Sequence, residues 1–328
     1  MALDPVPWAI GGDAEHGPDV ARMLAYLATG GKQGVVAPTD LKVLPLDVPG
    51  SGVKVLAGGA SVLNRTASQQ AYTVRNANTD IDSVKIGATG SGAGRSDLII
   101  CRVDNPNVDG NAPAPDDPVK GPYVKFDVIP GVPAGTRRLA SLSQYAGLSA
   151  IELARVDLPK SSGTVTSSMI TDLRTLATPR SERIIARGSL TDASVTLSPS
   201  VWRAFPQNPI SGITVPSWAT HAAIRVATTI RFVSGDAYAN VQAFIGPSGQ
   251  QDSATLYTDL IIDSTVGGGS YRQPVEMPSD GLWPVPSAIR GTTVQISSRA
   301  KGKTNSGVIA APASDYYYAD ITFMERIS

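Results

Sequence analysis

Few residues in this chain are of the types that carry metal or nucleophilic chemistry: two histidines, His16 and His221, and one cysteine, Cys101. A zinc centre takes three or four nitrogen, sulfur or carboxylate ligands, which one cysteine and two distant histidines do not supply. His221 follows Pro216-Ser217-Trp218-Ala219-Thr220. A Ser-His-Asp arrangement there would need a positioned nucleophile and an orienting carboxylate, and no Gly-x-Ser-x-Gly elbow accompanies it. His16 sits in a glycine-rich arm and reads as solvated or touching a partner. Cys101 closes the apolar run Leu98-Ile99-Ile100-Cys101 and reads as a small apolar group in a buried strand. We therefore expect no catalytic residue, no metal and no cofactor. Paired carboxylates of a glycoside hydrolase remain as an alternative, because the fold sets their separation. The acidic residues, however, sit mostly beside Pro, Gly or Asn, where they form turns.

Two loops imitate ligand sites. The run Gly87-Ala88-Thr89-Gly90-Ser91-Gly92-Ala93-Gly94-Arg95 looks like a phosphate loop, but Gly94-Arg95-Ser96-Asp97 opens a strand instead of a helix with Gly-Lys-Ser/Thr. A flexible hairpin loop is the better account. Asn105-Pro106-Asn107-Val108-Asp109-Gly110, with Asp116 at the twelfth position, lacks the first Asp, the final Glu and the flanking helices of a calcium loop. The aromatics are more promising. Trp202, Trp218, Trp283 and Tyr316-Tyr317-Tyr318 all lie in the second half, and flat aromatic faces beside polar groups suit sugar rings. In a strand, Tyr317 turns one way and Tyr316 and Tyr318 the other. The candidate ligand-binding residues are Trp283, a loop aromatic within Gly281-Leu282-Trp283-Pro284, with Tyr316, Tyr318 and Trp218. Core or subunit packing is the competing reading for each.

The elements that must position these residues are mostly strands. One helix is expected after Pro18, with Val20, Met23, Leu24 and Leu27 forming an apolar stripe and Gly30-Gly31 ending it. The stripe should pack on the following domain or dock into a neighbouring subunit. Period-two alternation then takes over: Val53 and Val55, Tyr72 and Val74, a strand over 81–86, a continuous apolar and central strand over 96–104, Val124 to Val128, and 151–158. Residues 105–122 form a polar loop, and 166–174 a short closing helix capped by Thr166 or Ser167. The Arg-Val-Asp-x-Pro echo at 102–106 and 155–159 suggests similar strand positions. After Gly188, Ile224, Val226, Thr228, Ile230 and Phe232 share one face of a long strand, with Arg225 and Arg231 on the other. Strands around Val241, Leu260, Val294 and Ile321 follow.

The expected fold is mainly β. An N-terminal arm and helix (1–33) and a β-rich domain (34–178) lead through a linker (179–187) to a C-terminal antiparallel β-sandwich of jelly-roll type (188–328). With 42% apolar and 17% charged residues the chain has material for packed cores. Lys+Arg and Asp+Glu are both 28, so no overall field attracts nucleic acid. Neither an apolar run of spanning length nor a signal-peptide start is visible, so we expect synthesis in a cytoplasm and no membrane insertion.

Several separate stretches of the first half, over about residues 8–180, resemble the minor tail proteins of siphophages infecting Streptomyces and related actinobacteria. They are Ala25-Tyr26-Leu27-Ala28-Thr29-Gly30-Gly31, Gly34-Val35-Val36-Ala37-Pro38-Thr39-Asp40-Leu41-Lys42-Val43, and Ala88-Thr89-Gly90-Ser91-Gly92-Ala93-Gly94-Arg95-Ser96-Asp97-Leu98. Gly121-Pro122-Tyr123-Val124, Ala154-Arg155-Val156-Asp157-Leu158-Pro159 and Met169-Ile170-Thr171-Asp172-Leu173-Arg174 complete the set. The resemblance implies a tail-attachment domain at the tail tip or baseplate of a virion. It also implies homo-oligomers, commonly trimers, contacts with other tail subunits, and a variable C-terminal module. That module is expected to attach to bacterial cell-wall glycan. The alternative is a tail-associated wall hydrolase using carboxylates.

Overall fold

The computed structural model describes residues 17–81, 84–247, 255–266, 270–303 and 307–327, without the side chains of 255–259 and 265–266. The chain is mainly β, with one α-helix among the described residues and antiparallel pairing between the strands. It divides into two units, Met1–Thr178 and Pro179–Arg326.

In the first unit, helix α1 (Pro18–Ala28) starts with proline in its first turn, and Gly30 and Gly31 follow it at φ 58° and 73°. These left-handed values suit glycine and stop the helix. Two long strands, β1 (Gly58–Leu63) and β2 (Ala71–Asn76), pair with each other. A second sheet has the order β4-β3-β5-β6, from β3 (Arg95–Val103), β4 (Val124–Val132), β5 (Ala150–Leu158) and β6 (Ile170–Asp172). Strand β3 is buried on both faces. Ile99 and Cys101 enter a core with Val62, Val74 and Leu153, while Leu98 and Ile100 enter another with Ile129 and Leu139. Its continuous apolar run follows from that central place.

The second unit holds eight main strands. They are β7 (Ser181–Arg187), β8 (Ile210–Thr214), β9 (His221–Asp236), β10 (Ala239–Pro247), β11 (Thr255–Ile262), β12 (Tyr271–Pro278), β13 (Thr293–Gly302) and β14 (Tyr317–Met324). They pair as β7-β14-β9-β12 in one sheet and β8-β13-β10-β11 in the other. Counted within the unit this is 1-8-3-6 and 2-7-4-5, the strand order of a jelly roll, as expected. Alternation drives it. From β9, Ile224, Val226, Ile230 and Phe232 point inward to meet Val241, Ile296 and Phe323 in one core. Phe232 and Phe323 are wholly buried, each contributing about 1.5–3 kcal/mol of transfer free energy.

Several expectations are corrected. The apolar stripe of α1 does not pack on the following domain: Met23, Leu24 and Leu27 are 42%, 47% and 66% exposed, while the helix side toward β2 carries Arg22, whose guanidinium lies 5.8 Å from the Tyr72 ring. The closing helix over 166–174 is one 3-10 turn (Ser167–Met169) followed by β6, because Ile170 pairs with Val156 and packs on the core. The glycine run over 87–94 closes no hairpin; it crosses from one sheet to another and is hooked by Thr89, whose backbone N–H donates to Ser162 O at 2.9 Å. The 179–187 linker is strand β7. Over 81–86 the described residues form no continuous strand, with isolated bridges at Asp80 and Lys85 and hydrogen bonds from Val53 N to Val84 O and from Ile86 N to Ser51 O; residues 82–83 lie outside the described residues, as does His16. In the Arg-Val-Asp echo, Arg102 pairs with Asp104 and Arg155 with Asp157, two residues apart on one strand face. The calcium-like loop spends its oxygens on its own turns: Asn105 Oδ1 accepts from Asn107 N and Asp109 Oδ1 from Asn111 N.

Candidate functional site

The three consecutive tyrosines divide as a strand requires. Tyr317 is 2% exposed, and burial pushes its phenol up to about 12. Its ring lies against Gly188, which leaves no room there for a Cβ, and its carbonyl accepts from Gly188 N at 2.9 Å. With Tyr317 fixed inward, Tyr316 and Tyr318 stand on the outer face, ring centroids 5.8 Å apart at 45°. The turn before them is held by Asp192 Oδ1, which accepts from Ala313 N at 2.9 Å.

Around the two phenols lies a cleft of about 430 Å³ with Arg183, Ile185 and Arg187 from β7, Arg225 from β9 and Asp320 from β14. Register explains the grouping, since Arg187 lies opposite Tyr318 and Arg225 opposite Asp320. Arg183 donates to both oxygens of Asp320, at 2.8 and 2.7 Å, and Arg225 reaches the same carboxylate at 3.3 Å. The Arg183 hydrogen bonds hold the Asp320 carboxyl below the usual carboxylate range, against a smaller desolvation effect. Asp315 is paired with Arg272 at 3.2 Å. Among the described residues the hydroxyls of Tyr316 and Tyr318 have no hydrogen-bond partner, so both are available to a ligand. Chemically the cleft offers aromatic faces, phenol hydroxyls, guanidinium donors and one ionised acceptor.

The other expected aromatics lie elsewhere. Trp218 is partly buried against the core with the Arg180 guanidinium 5.3 Å above its ring. Trp283 is not a free loop aromatic: it lies in a short strand (Trp283–Pro284) paired with His221 and Ala222, and it packs on the core. Trp202 holds the guanidinium of Arg299 at 4.6 Å on the other sheet. His221 shares a 3.0 Å hydrogen bond with Thr220 Oγ1, and burial lowers its pKa. Cys101 is buried and its thiol pushed up to about 12. Among the described residues no group of three His, Cys, Asp or Glu is placed to hold a metal.

A larger cleft of about 680 Å³ lies in the first unit between α1 and β2. Several of its polar groups are already engaged. Arg22 donates to Gln70 Oε1 at 2.6 Å, and Asn105 Nδ2 donates to the Tyr72 hydroxyl at 3.2 Å.

No family model matches the chain, and no curated protein matches it in sequence. Solved structures show faint likenesses. The VP2 subviral particle of infectious bursal disease virus aligns at 12% identity and TM-score 0.27, over 90% of this chain and 71% of that one. The Cry4Aa toxin of Bacillus thuringiensis aligns at 12% and 0.21, over 90% and 54%. An exo-beta-1,3-galactanase from Phanerochaete chrysosporium aligns at 13% and 0.16, over 86% and 68%. Scores this low carry no argument. The jelly-roll assignment rests on the strand pairing itself.

Sequence reasoning picked out Tyr316 and Tyr318 but missed Arg183, Arg187, Arg225 and Asp320. The signal was present in part, since Arg183, Ile185 and Arg187 alternate at period two within a stretch read as linker.

Proposed function

We propose that this chain is a structural protein of a phage virion, placed at the tail tip, whose jelly-roll unit attaches to cell-wall glycan through the Tyr316–Tyr318 cleft. The tail assignment draws on the ordered stretches of the first unit that resemble minor tail proteins. The attachment reading rests on one observation: two outward phenols with unengaged hydroxyls, 5.8 Å apart and set among guanidiniums. A sugar ring presents an apolar face to an aromatic and hydroxyls to donors and acceptors, and this cleft supplies both.

The hydrolase alternative finds no support in the cleft. A glycosidase needs one carboxylic acid kept protonated by a raised pKa. Asp320 is held ionised by two arginines, and Asp315 is tied to Arg272. Assembly belongs to the same proposal: the exposed stripe of Met23, Leu24 and Leu27 is the surface that a second copy of the chain would cover in a homo-oligomer.

Cosedimentation of the full chain with purified actinobacterial walls tests the attachment reading. The wild-type chain should pellet with the walls without releasing muropeptides or reducing sugar, and Tyr316→Ala/Tyr318→Ala should stay in solution. Equal pelleting of both overturns the cleft assignment, and sugar release abolished by Asp320→Asn overturns the non-enzymatic one.

A further inference from the structure

Charge on the cleft's sheet face is not balanced, although the chain as a whole is neutral, with 28 basic and 28 acidic residues. Arg183 and Arg225 share Asp320, and Arg225 also reaches Glu276 at 3.5 Å. Arg272 takes Asp315. Among the described residues, that spends the three carboxylates Asp320, Glu276 and Asp315 around the tyrosines on three arginines. Two more arginines remain on the same face. Arg187 has no ion pair or hydrogen bond among the described residues. Among the described residues Arg231 donates only to the Ser270 hydroxyl, at 3.1 Å, and it stands directly opposite Arg272 in the β9–β12 register. Like charges facing each other across a ladder are unfavourable, and Asp315 offsets only the Arg272 member of this pair.

The positions of these two guanidiniums are informative. Arg187 lies beside Tyr318, which lies beside Ala227, and Arg231 is four residues further along β9. Two strand spacings and four residue rises separate Arg187 and Arg231 by about 17 Å. Because β14 runs antiparallel to β9, Tyr316 sits further toward Arg231 than Tyr318 does. The order along this diagonal is Arg187, Tyr318, Tyr316, Arg231: a cation, two aromatic faces and a second cation.

We infer that the ligand of this face is an anionic glycan, with sugar rings over Tyr318 and Tyr316 and negative groups at Arg187 and Arg231. The inference rests on the glycan reading of the cleft and names the ligand class. A track of this length suits an extended polymer better than a single sugar. Guanidinium forks bind carboxylate and phosphate alike, so the acid can be a uronate or a phosphodiester.

Binding of the full chain to three probes tests this: polygalacturonate, a glycosylated polyol-phosphate wall polymer, and a neutral chitooligosaccharide. At least one acidic polymer should bind more tightly than the neutral one, and the preference should shrink as salt rises. The arm that binds identifies the acid. Arg187→Gln/Arg231→Gln should lower affinity for that polymer at least about tenfold, the loss expected for two charge-assisted contacts, and should erase most of the preference over the neutral probe. Tyr316→Ala/Tyr318→Ala should lose both acidic and neutral binding. If the neutral probe binds as well as the acidic ones and the arginine variant changes nothing, the anion assignment falls while the glycan reading stands. If no probe binds to a chain with native circular dichroism, both fall. Equal binding of single-stranded DNA would overturn the glycan assignment in favour of a general polyanion site.

Discussion

Substituting the three consecutive tyrosines one at a time should separate their roles by stability alone. Tyr317 is 2% exposed and belongs to the core with Ile321 and Phe323. Tyr317→Ala removes an aromatic ring from a packed interior, which costs about 3–5 kcal/mol. For a urea m-value near 2 kcal/mol/M, a loss of about 4 kcal/mol lowers the unfolding midpoint by about 2 M. Tyr317→Phe deletes a hydroxyl whose hydrogen-bond partner among the described residues is Ser298 Oγ, at a long 3.5 Å, so its cost should stay below about 1 kcal/mol. Tyr316→Ala, at a position 43% exposed, should fall within about 0.5 kcal/mol of wild type. Urea titration followed by tryptophan fluorescence measures all three, since every tryptophan of the second half lies in the unit that unfolds. Equal losses for Tyr316→Ala and Tyr317→Ala would refute the inward–outward alternation on which the cleft depends.

Four further outcomes follow from the same structure. Gly188→Ala should destabilise the second unit by about 1–3 kcal/mol through overpacking against the Tyr317 ring, measured by the same titration. Glu325 and Asp320 are held below their ordinary carboxylate values by Arg180 and Arg183 respectively. Their contribution is present above the unfolded carboxylate range, about pH 4, and is lost as pH falls through the folded values. The melting temperature should therefore drop on acidification, and Glu325→Gln should flatten that drop. Cys101, with its buried thiol pushed up to about 12, should resist iodoacetamide at pH 8 in the native chain and react once urea unfolds it. Light scattering of the full chain should give a multiple of the monomer mass, and Met23→Glu/Leu27→Glu should reduce it to one.

Local periodicity was readable; partnership across the chain was not. The alternation of Ile224, Val226, Thr228, Ile230 and Phe232 identifies the long strand and its buried side, and the Tyr316-Tyr317-Tyr318 split follows from the same period. What no local pattern reveals is that Arg183 meets Asp320 across 137 residues of sequence. That pairing exists because the first and last strands of a jelly roll are neighbours. The polar stretch over 178–183 looks like a linker because β7 keeps one side exposed, with only Ile184 and Ala186 on the core. The same limit explains Trp283. A tryptophan between Gly, Leu and Pro looks like a loop aromatic until β9 supplies the strand that pairs with it. The spacing of the α1 stripe leaves two destinations open, the following domain or a neighbouring subunit; Met23, Leu24 and Leu27 are exposed, so within this chain the first is not taken.

The attachment claim is tested most directly by locating the ligand. A crystal structure of the full chain soaked with oligosaccharide released from host walls should show a sugar ring against Tyr316 or Tyr318, with an acidic group at the Arg187 guanidinium. Sugar bound at Trp218 or Trp283 with the tyrosine cleft empty would contradict the account, as would binding in solution that Tyr316→Ala/Tyr318→Ala leaves untouched.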